Sequence, residues 1–421
     1  MIRRLVAGSL ALALAAFAIP APATIGWGQV VDATTCRPIE GAIITVEGKT
    51  LRSDAAGTFT LPSPSANVQV RAPGYGKLAL SDPGVPVKSV DVRLRPFAPK
   101  ALYLSFYGIG DLTLRTAALK LIDETELNAL VIDVKGDRGR IPYPSSVALA
   151  SEIGAQKPIT VRDISALLSR LRDKGVYTIA RVVAFKDDPL ARARPDLAVR
   201  DRAGKFWTDR EGLAWSDPFQ PAAREYVLAV AEEAARLGFD EIQFDYLRFP
   251  DEPGLVFSKP NNEANRVAAI TSFVAEAGKR LAPYNVFVAA DIFGYVLWNK
   301  DDTAIGQRLE DLVPHLDYIS PMLYPSGFKF GIPGYRDPVA NYREIVALSL
   351  RNAQKRTGLP GQRFRPWLQA FRDYAFDRRA FAADEIAGQI RATEEFGGNG
   401  WMLWNPRNVY SAAGLKNGSE K

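Results

Sequence analysis

The sequence predicts an α/β protein in which a (β/α)8 TIM barrel follows a small all-β sandwich. Eight apolar, strand-like runs alternate with amphipathic helical patterns over about 320 residues, while the region before them holds only short β-type runs broken by turn residues. The stiff segment Pro96-Phe-Ala-Pro99 separates the two rhythms. No apolar run is followed by a Gly-rich phosphate loop, which disfavours the competing open doubly wound sheet.

Residues 1–23 read as a signal peptide. Arg3 and Arg4 precede an uncharged apolar run from Leu5 to Ile19, and Ala21-Pro22-Ala23 supplies the small residues that a signal peptidase needs. Fifteen apolar residues are too few to span a bilayer, and no other stretch reads as transmembrane. The expectation is export to the periplasm or the medium. Losing Arg3 and Arg4 would take the formal charge of +6 to +4, and no Lys/Arg run resembles a phosphate-tracking stripe, so nucleic acid is not an expected partner.

With 421 residues, one His and one Cys, the chain cannot build a His-rich zinc site, a Cys-based zinc ribbon or an iron–sulfur centre from its own side chains. Serine-hydrolase and cysteine-protease schemes would both have to pass through His315. The unpaired Cys36 cannot form an internal disulfide and reads as a turn residue. Acid–base chemistry therefore falls to carboxylates, with no metal or cofactor expected.

In residues 24–97 the candidate strands are 28–31, 42–46, 58–61, 68–71 and 90–94, separated by Gly, Pro, Asp and Ser clusters. A carbohydrate-binding module would want a row of exposed aromatics, and only Trp27, Phe59 and Tyr75 are available. A structural module is the preferred reading. The order Gly28-Gln-Val-Val-Asp32, Pro38-Ile-Glu-Gly-Ala42, Ser53-Asp54-Ala-Ala-Gly57-Thr-Phe59 and Ala72-Pro-Gly74-Tyr75 resembles the carboxypeptidase regulatory-like β-sandwich, which implies a spacer or stability module without catalytic residues.

The barrel is expected over residues 98–410, with residues 411–421 left as a flexible tail. Its strand-like runs are 101–107, 129–134, 177–184, 241–244, 286–290, 318–322, 366–371 and 400–403; helical patterns include 161–173, 221–237, 262–281 and 382–396. Period-2 alternation then selects the inward side chains, and chemistry belongs at the C-terminal strand ends. In the fourth run Ile242 and Phe244 oppose Gln243 and Asp245, which places Asp245 at the inner rim. The fifth run places Asp291 there too, on the neighbouring strand. By the same parity Asp133 and Lys135 leave the second run and Arg181 the third, while Tyr324 follows the sixth run and Trp404-Asn405 the eighth. Asp133, Lys135 and Arg181 fit equally well an ion network that ties the barrel together or a set of substrate contacts, because charges out of water need partners. Tyr246 and Arg248 give Asp245 an aromatic and cationic rim. His315 precedes the sixth run, at the opposite end of the barrel.

Paired carboxylates ringed by aromatics suit glycoside hydrolysis, in which one carboxylic acid protonates the leaving oxygen and the other attacks or activates water. The motifs agree. Asn128-Ala-Leu-Val-Ile-Asp133-Val-Lys135-Gly-Asp137-Arg-Gly139, Ile179-Ala-Arg181, Trp215-Ser-Asp217-Pro-Phe219, Asp240-Glu-Ile-Gln-Phe-Asp245-Tyr-Leu-Arg248-Phe-Pro250, Asp291-Ile-Phe-Gly294-Tyr295, Ile319-Ser-Pro-Met322-Leu-Tyr324-Pro325, Arg365-Pro-Trp367-Leu-Gln369 and Gly400-Trp401-Met-Leu-Trp404-Asn405-Pro406 occur in this order. Together they resemble the bacterial putative glycoside hydrolase domain family, a TIM-barrel group.

That resemblance implies Asp245 as nucleophile or base and Asp291 as acid. It implies Asp133, Lys135, Arg181, Tyr246, Arg248, Tyr324, Trp367, Gln369, Trp404 and Asn405 as groups that hold a polysaccharide or oligosaccharide. Family members often carry an acid after the Trp-Leu-Gln of strand seven; here Ala370 stands there, with Asp373 as the possible substitute. The fourth run also resembles the signature of chitinase-like barrels, but Leu247 occupies the position of their proton-donating Glu, so that mechanism does not transfer. Trp404 would still floor a sugar subsite. The competing reading is a catalytically silent polysaccharide-binding or envelope-organising barrel. A polysaccharide deacetylase, which normally uses His-bearing metal sites, is disfavoured by the single His.

Overall fold

A computed structural model of the chain describes residues 26–61, 67–81 and 89–418; the expected signal peptide and its cleavage point lie outside them. The N-terminal unit holds seven strands: β1 (Gly26–Asp32), β2 (Ile43–Val46), β3 (Lys49–Arg52), β4 (Thr58–Leu61), β5 (Asn67–Arg71), β6 (Leu78–Ser81) and β7 (Ser89–Leu94). They form one sheet in the order β4-β1-β7 and a second in the order β3-β2-β5-β6. Val30, Phe59, Leu61 and Val92 of the first sheet share one core with Ile44, Val46, Val68 and Val70 of the second. Five of the strands match the pattern of runs read from the sequence, whereas β3 and β6 lie outside it. β3 escaped it because Lys49, Thr50 and Arg52 face solvent on an edge strand, joined to β2 by the two-residue turn Glu47-Gly48, both at positive φ.

The barrel consists of β8 (Lys100–Leu104), β9 (Ala129–Lys135), β10 (Tyr177–Val183), β11 (Glu241–Asp245), β12 (Phe287–Phe293), β13 (Tyr318–Leu323), β14 (Trp367–Gln369) and β15 (Trp401–Trp404), all parallel and closed on itself by pairing of β15 with β8. Helices such as Ile164–Asp173, Pro221–Leu237, Glu263–Leu281 and Ala383–Phe396 cover the outside. Ile242, Phe244, Val288 and Ala290 pack outward in the main core, while Val131, Ile179, Phe287 and Ala289 fill the interior, as the parity of these strands requires.

The floor of the interior is a closed ion set. Arg365 donates to both oxygens of Glu241 at 2.8 and 2.7 Å, and to the carbonyl of Asn399 at 2.9 Å. Tyr177 donates to Glu241 at 3.0 Å, and the guanidinium lies 4.0 Å over the Tyr318 ring. One cation meets one anion, and each is hydrogen-bonded further, which is what a charge pair out of water requires.

The N-terminal unit docks below this floor. Lys77 pairs with Asp240 at 2.9 Å, Arg71 donates to Asn285 at 3.2 Å, and the Gly74 amide donates to the Tyr318 hydroxyl at 3.0 Å. These contacts lie at the N-terminal strand ends. His315 is there too, exposed and far from the mouth, as expected. Within the expected tail, the backbone of Lys416 exchanges hydrogen bonds with Glu126 at 2.9 and 3.0 Å, and its ammonium pairs with Glu394.

At the closing seam the Trp401 amide donates to the Pro99 carbonyl at 3.0 Å. Gly400, at φ +75°, lies so near that an added Cβ would stand 1.8 Å from that carbonyl oxygen. Gly400→Ala is expected to lower unfolding stability by about 2 to 4 kcal/mol, through both clash and backbone strain. Denaturant midpoints at constant slope measure it, and an unchanged midpoint would contradict this account of closure.

Candidate active site

At the C-terminal strand ends four neighbouring strands converge on one cation. Arg181 of β10 is fully buried. Its Nη1 donates to Asp133 of β9 at 2.7 Å, its Nε to Asp245 of β11 at 2.9 Å, and its Nη2 to both Asp137 and Asp245 at 2.7 and 2.5 Å. Asp291 of β12 lies 4.0 Å from Nε. Parallel pairing builds this cluster, since Arg181 stands opposite Asp133 on one side and Gln243 on the other, with Asp245 two residues further along.

Four carboxylates around one guanidinium cannot all stay ionised cheaply in a dry site. Burial works against the charge of Arg181, but Asp137, Asp245 and Asp133 outweigh it and hold the guanidinium protonated. Burial pushes the Asp133 carboxyl up to about 6 against the pull of Arg181. Asp291 rises well above the usual carboxylate range, first through burial and then through the neighbouring Asp245 charge. Both carboxyls face Arg181 Nε, Asp245 Oδ2 at 2.9 Å and Asp291 Oδ2 at 4.0 Å. Asp291 Oδ2 is buried and meets no hydrogen-bond donor among the described residues, which an ionised carboxylate would need. The indole N–H of Trp367 fixes the other oxygen at 2.6 Å. Asp245 Oδ1 accepts from the Tyr246 amide at 2.5 Å.

Asp245 and Asp291 are thus neighbours at one guanidinium.

Aromatic rings form the wall. Trp404 stacks on Tyr103 with centroids 4.1 Å apart and planes 11° from parallel, and the Arg181 guanidinium lies 5.0 Å from the Trp404 ring. Trp367 meets both rings edge-on. Tyr324 is half-buried beside them, its hydroxyl pKa raised by burial and by Asp291 and Asp245. A cavity of about 190 Å³ opens here, lined among others by Tyr103, Phe106, Asp133, Asp137, Arg138 and Trp404. A second groove, which shares Glu211 with it, holds Tyr246 and Arg248, the latter packed over the Trp215 and Tyr246 rings at 5.1 and 5.2 Å.

Three expected substrate contacts lie elsewhere. Lys135 points away from the mouth because β9 carries one extra residue: Asp133 pairs with Arg181 but Lys135 pairs with Val182, so Val134 is the bulge and parity reverses. Lys135 is fully buried, paired with Asp187 at 2.9 Å and bonded to the Val183 carbonyl at 2.7 Å. Gln369 is spent on Ser326, whose amide and hydroxyl it binds at 3.0 and 2.7 Å. Asn405 clamps the Ala370 and Val409 carbonyls and accepts from the Arg407 amide. Asp373 is no spare acid either. Against burial, the Ser326 hydroxyl and three backbone amides hold it down at about 2.

Asp137 is the site residue that strand parity missed. It sits two residues beyond β9, in the turn where the Gly136 amide donates to the Arg140 carbonyl and the Gly139 amide to that of Gly136. Gly139, at φ +70°, packs so closely that a Cβ would lie 2.5 Å from Asp187 Oδ1. The Gly-Asp-Arg-Gly pattern after a strand was the available signal.

A family profile described as a putative glycosyl hydrolase domain matches residues 101–410. Among solved structures, the PgaB (BpsB) glycoside hydrolase domain from Bordetella bronchiseptica aligns at a TM-score of 0.50 and 14% identity over 74% of this chain and 95% of its own, a likeness of fold. A hypothetical protein from Ruminiclostridium thermocellum shares 36% identity over 45% of this chain and 96% of its own, with a TM-score of 0.41. A chitinase from Chromobacterium violaceum aligns at 0.44 and 12% identity, over 76% and 96% of the two chains. No curated protein matches the chain.

Lys135→Met is expected to cost about 3 to 5 kcal/mol near pH 8, because it strands a buried Asp187. Burial already raises the Asp187 carboxyl. A group raised in the folded state stabilises most when protonated, so the penalty should shrink as pH falls and grow as pH rises. Urea titrations between pH 5 and 8 test this; a pH-independent penalty would contradict the pairing.

Proposed function

The chain belongs to the family described as a putative glycosyl hydrolase domain, and from that premise we propose that its barrel mouth cleaves glycosidic bonds in a polysaccharide. Asp245 and Asp291 act as one acid–base unit that holds a single proton. The crowding of the two aspartates at one guanidinium, with Asp245 at 2.9 Å and Asp291 at 4.0 Å from Arg181 Nε, is the observation that carries this reading. Asp245 is the member nearer the cleft, at 6% exposure against 1% for Asp291, so Asp245 hands the proton to the leaving oxygen and Asp291 stores it. Trp404 and Tyr103 offer a flat apolar face to a sugar ring. The chemistry uses carboxylates alone and needs no metal.

We propose further that the chain is exported, with residues 1–23 removed, and that the N-terminal unit is a spacer of the carboxypeptidase regulatory-like kind. Its docking below the barrel floor, away from the cleft, supports a role outside catalysis. The low exposure of both paired carboxylates favours a second reading, a silent polysaccharide-binding barrel.

The purified protein, screened against bacterial and plant polysaccharides, is expected to release reducing ends from at least one; retention on a polysaccharide with no release would support the silent reading. Asp245→Asn should lower the rate on that polymer by on the order of 10³-fold or more with the fold intact. The pH profile separates the pair. Activity is lost as pH rises through the raised pKa of Asp291, and Asp291→Asn removes the group that titrates there. The alkaline limb of kcat/KM should therefore move to lower pH in Asp291→Asn, and an unmoved limb would sink the shared-proton assignment.

A further inference from the structure

In the reading above the Asp245–Asp291 pair supplies a proton, but cleavage also needs a carboxylate that attacks the anomeric carbon or activates water. We propose that Asp137 is that group, the catalytic nucleophile of the cleft; the inference rests on the hydrolytic reading above. Its side chain is 35% exposed, against 9% for Asp245, 2% for Asp133 and 1% for Asp291. It is thus the member of the cluster open to a ligand, and it lines the cavity with Tyr103 and Trp404.

Its distance from Asp245 is bounded by a shared nitrogen. Asp137 Oδ1 lies 2.7 Å and Asp245 Oδ2 2.5 Å from Arg181 Nη2, so these two oxygens stand no more than about 5.2 Å apart. Retaining glycosidases hold their two carboxyls roughly 5 to 5.5 Å apart, whereas inverting ones need about 6.5 Å or more to admit a water. Arg181 holds one oxygen of Asp137, and among the described residues no hydrogen bond engages the other. The turn that carries Asp137 is seated rigidly, because Gly139 packs on Asp187, the buried partner of Lys135. The Lys135–Asp187 pair therefore positions the nucleophile loop from behind the strand.

In the first step an Asp137 oxygen bonds to the anomeric carbon, the bond from that carbon to the leaving oxygen breaks, and the leaving oxygen takes the proton of the Asp245–Asp291 pair. In the second, water attacks the anomeric carbon, its proton returns to the pair, and the ester bond to Asp137 breaks to restore the carboxylate. Two displacements at one carbon retain its configuration.

The test uses the full-length protein and the polysaccharide that it cuts. Asp137→Asn, with a melting temperature within a few degrees of wild type, should turn over on the order of 10³-fold more slowly or worse. Proton NMR of the first-formed reducing ends should show retained configuration. Asp137→Ala should regain turnover in added sodium azide and yield a glycosyl azide of inverted configuration, a readout that a merely structural role would not produce. Wild-type turnover in Asp137→Asn, or inverted configuration in the wild-type product, overturns the assignment and leaves the hydrolytic reading standing. A wild-type protein that cuts no polysaccharide overturns both.

Discussion

The mouth of this barrel is organised by the sharing of one guanidinium among four aspartates drawn from three strands and the turn after one of them. Moving an ionised group out of water is unfavourable by several kcal/mol unless partners replace the lost solvent. Arg181 has partners to spare, with every nitrogen donating to a carboxylate. The aspartates do not, and burial together with the neighbouring Asp245 charge raises the pKa of the most enclosed of them, Asp291. A carboxylic acid kept neutral beside a carboxylate that a substrate can approach is a proton donor waiting for a leaving group. The stacked Trp404 and Tyr103 strengthen the effect, because they keep solvent from the guanidinium while leaving a flat face to the cleft.

The two ends of the barrel interior show how the same residue types serve different ends. At the floor, Glu241 and Arg365 balance one to one, both fully buried, with Tyr177 and Asn399 completing their hydrogen bonds. Such a set has no reason to exchange a proton, and the N-terminal unit docks beneath it. At the mouth the charge ratio is unbalanced and one side opens to a cavity. Balance with enclosure makes a structural plug, whereas imbalance with access is what the proposed chemistry draws on.

Strand parity carried the sequence reading a long way. Ile242 and Phe244 against Gln243 and Asp245, and Val288 and Ala290 against Ala289 and Asp291, are regular strands with one apolar and one polar face, so both aspartates could be located from the chain alone. The same rule failed at Lys135, where a single extra residue in β9 reverses every later side chain without altering composition. It failed in another way at Gln369 and Asn405, which stand at strand ends but serve the amides and carbonyls of their own loops. Polar residue type does not say whether a side chain looks toward a ligand or toward its own backbone. Asp137 lay beyond the reach of parity because a turn, not a strand, aims it, and its partner is 44 residues away in sequence.

The protonation of Asp291 at neutral pH is the claim on which the rest turns, and it can be observed directly. The carboxyl 13C resonance of Asp291, assigned by comparison with Asp291→Asn and followed through a pH titration of the wild-type protein, reports its charge. The account predicts a neutral carboxylic acid at pH 7 that ionises only well above the ordinary Asp value of about 3.9. A resonance that titrates near that ordinary value would contradict it.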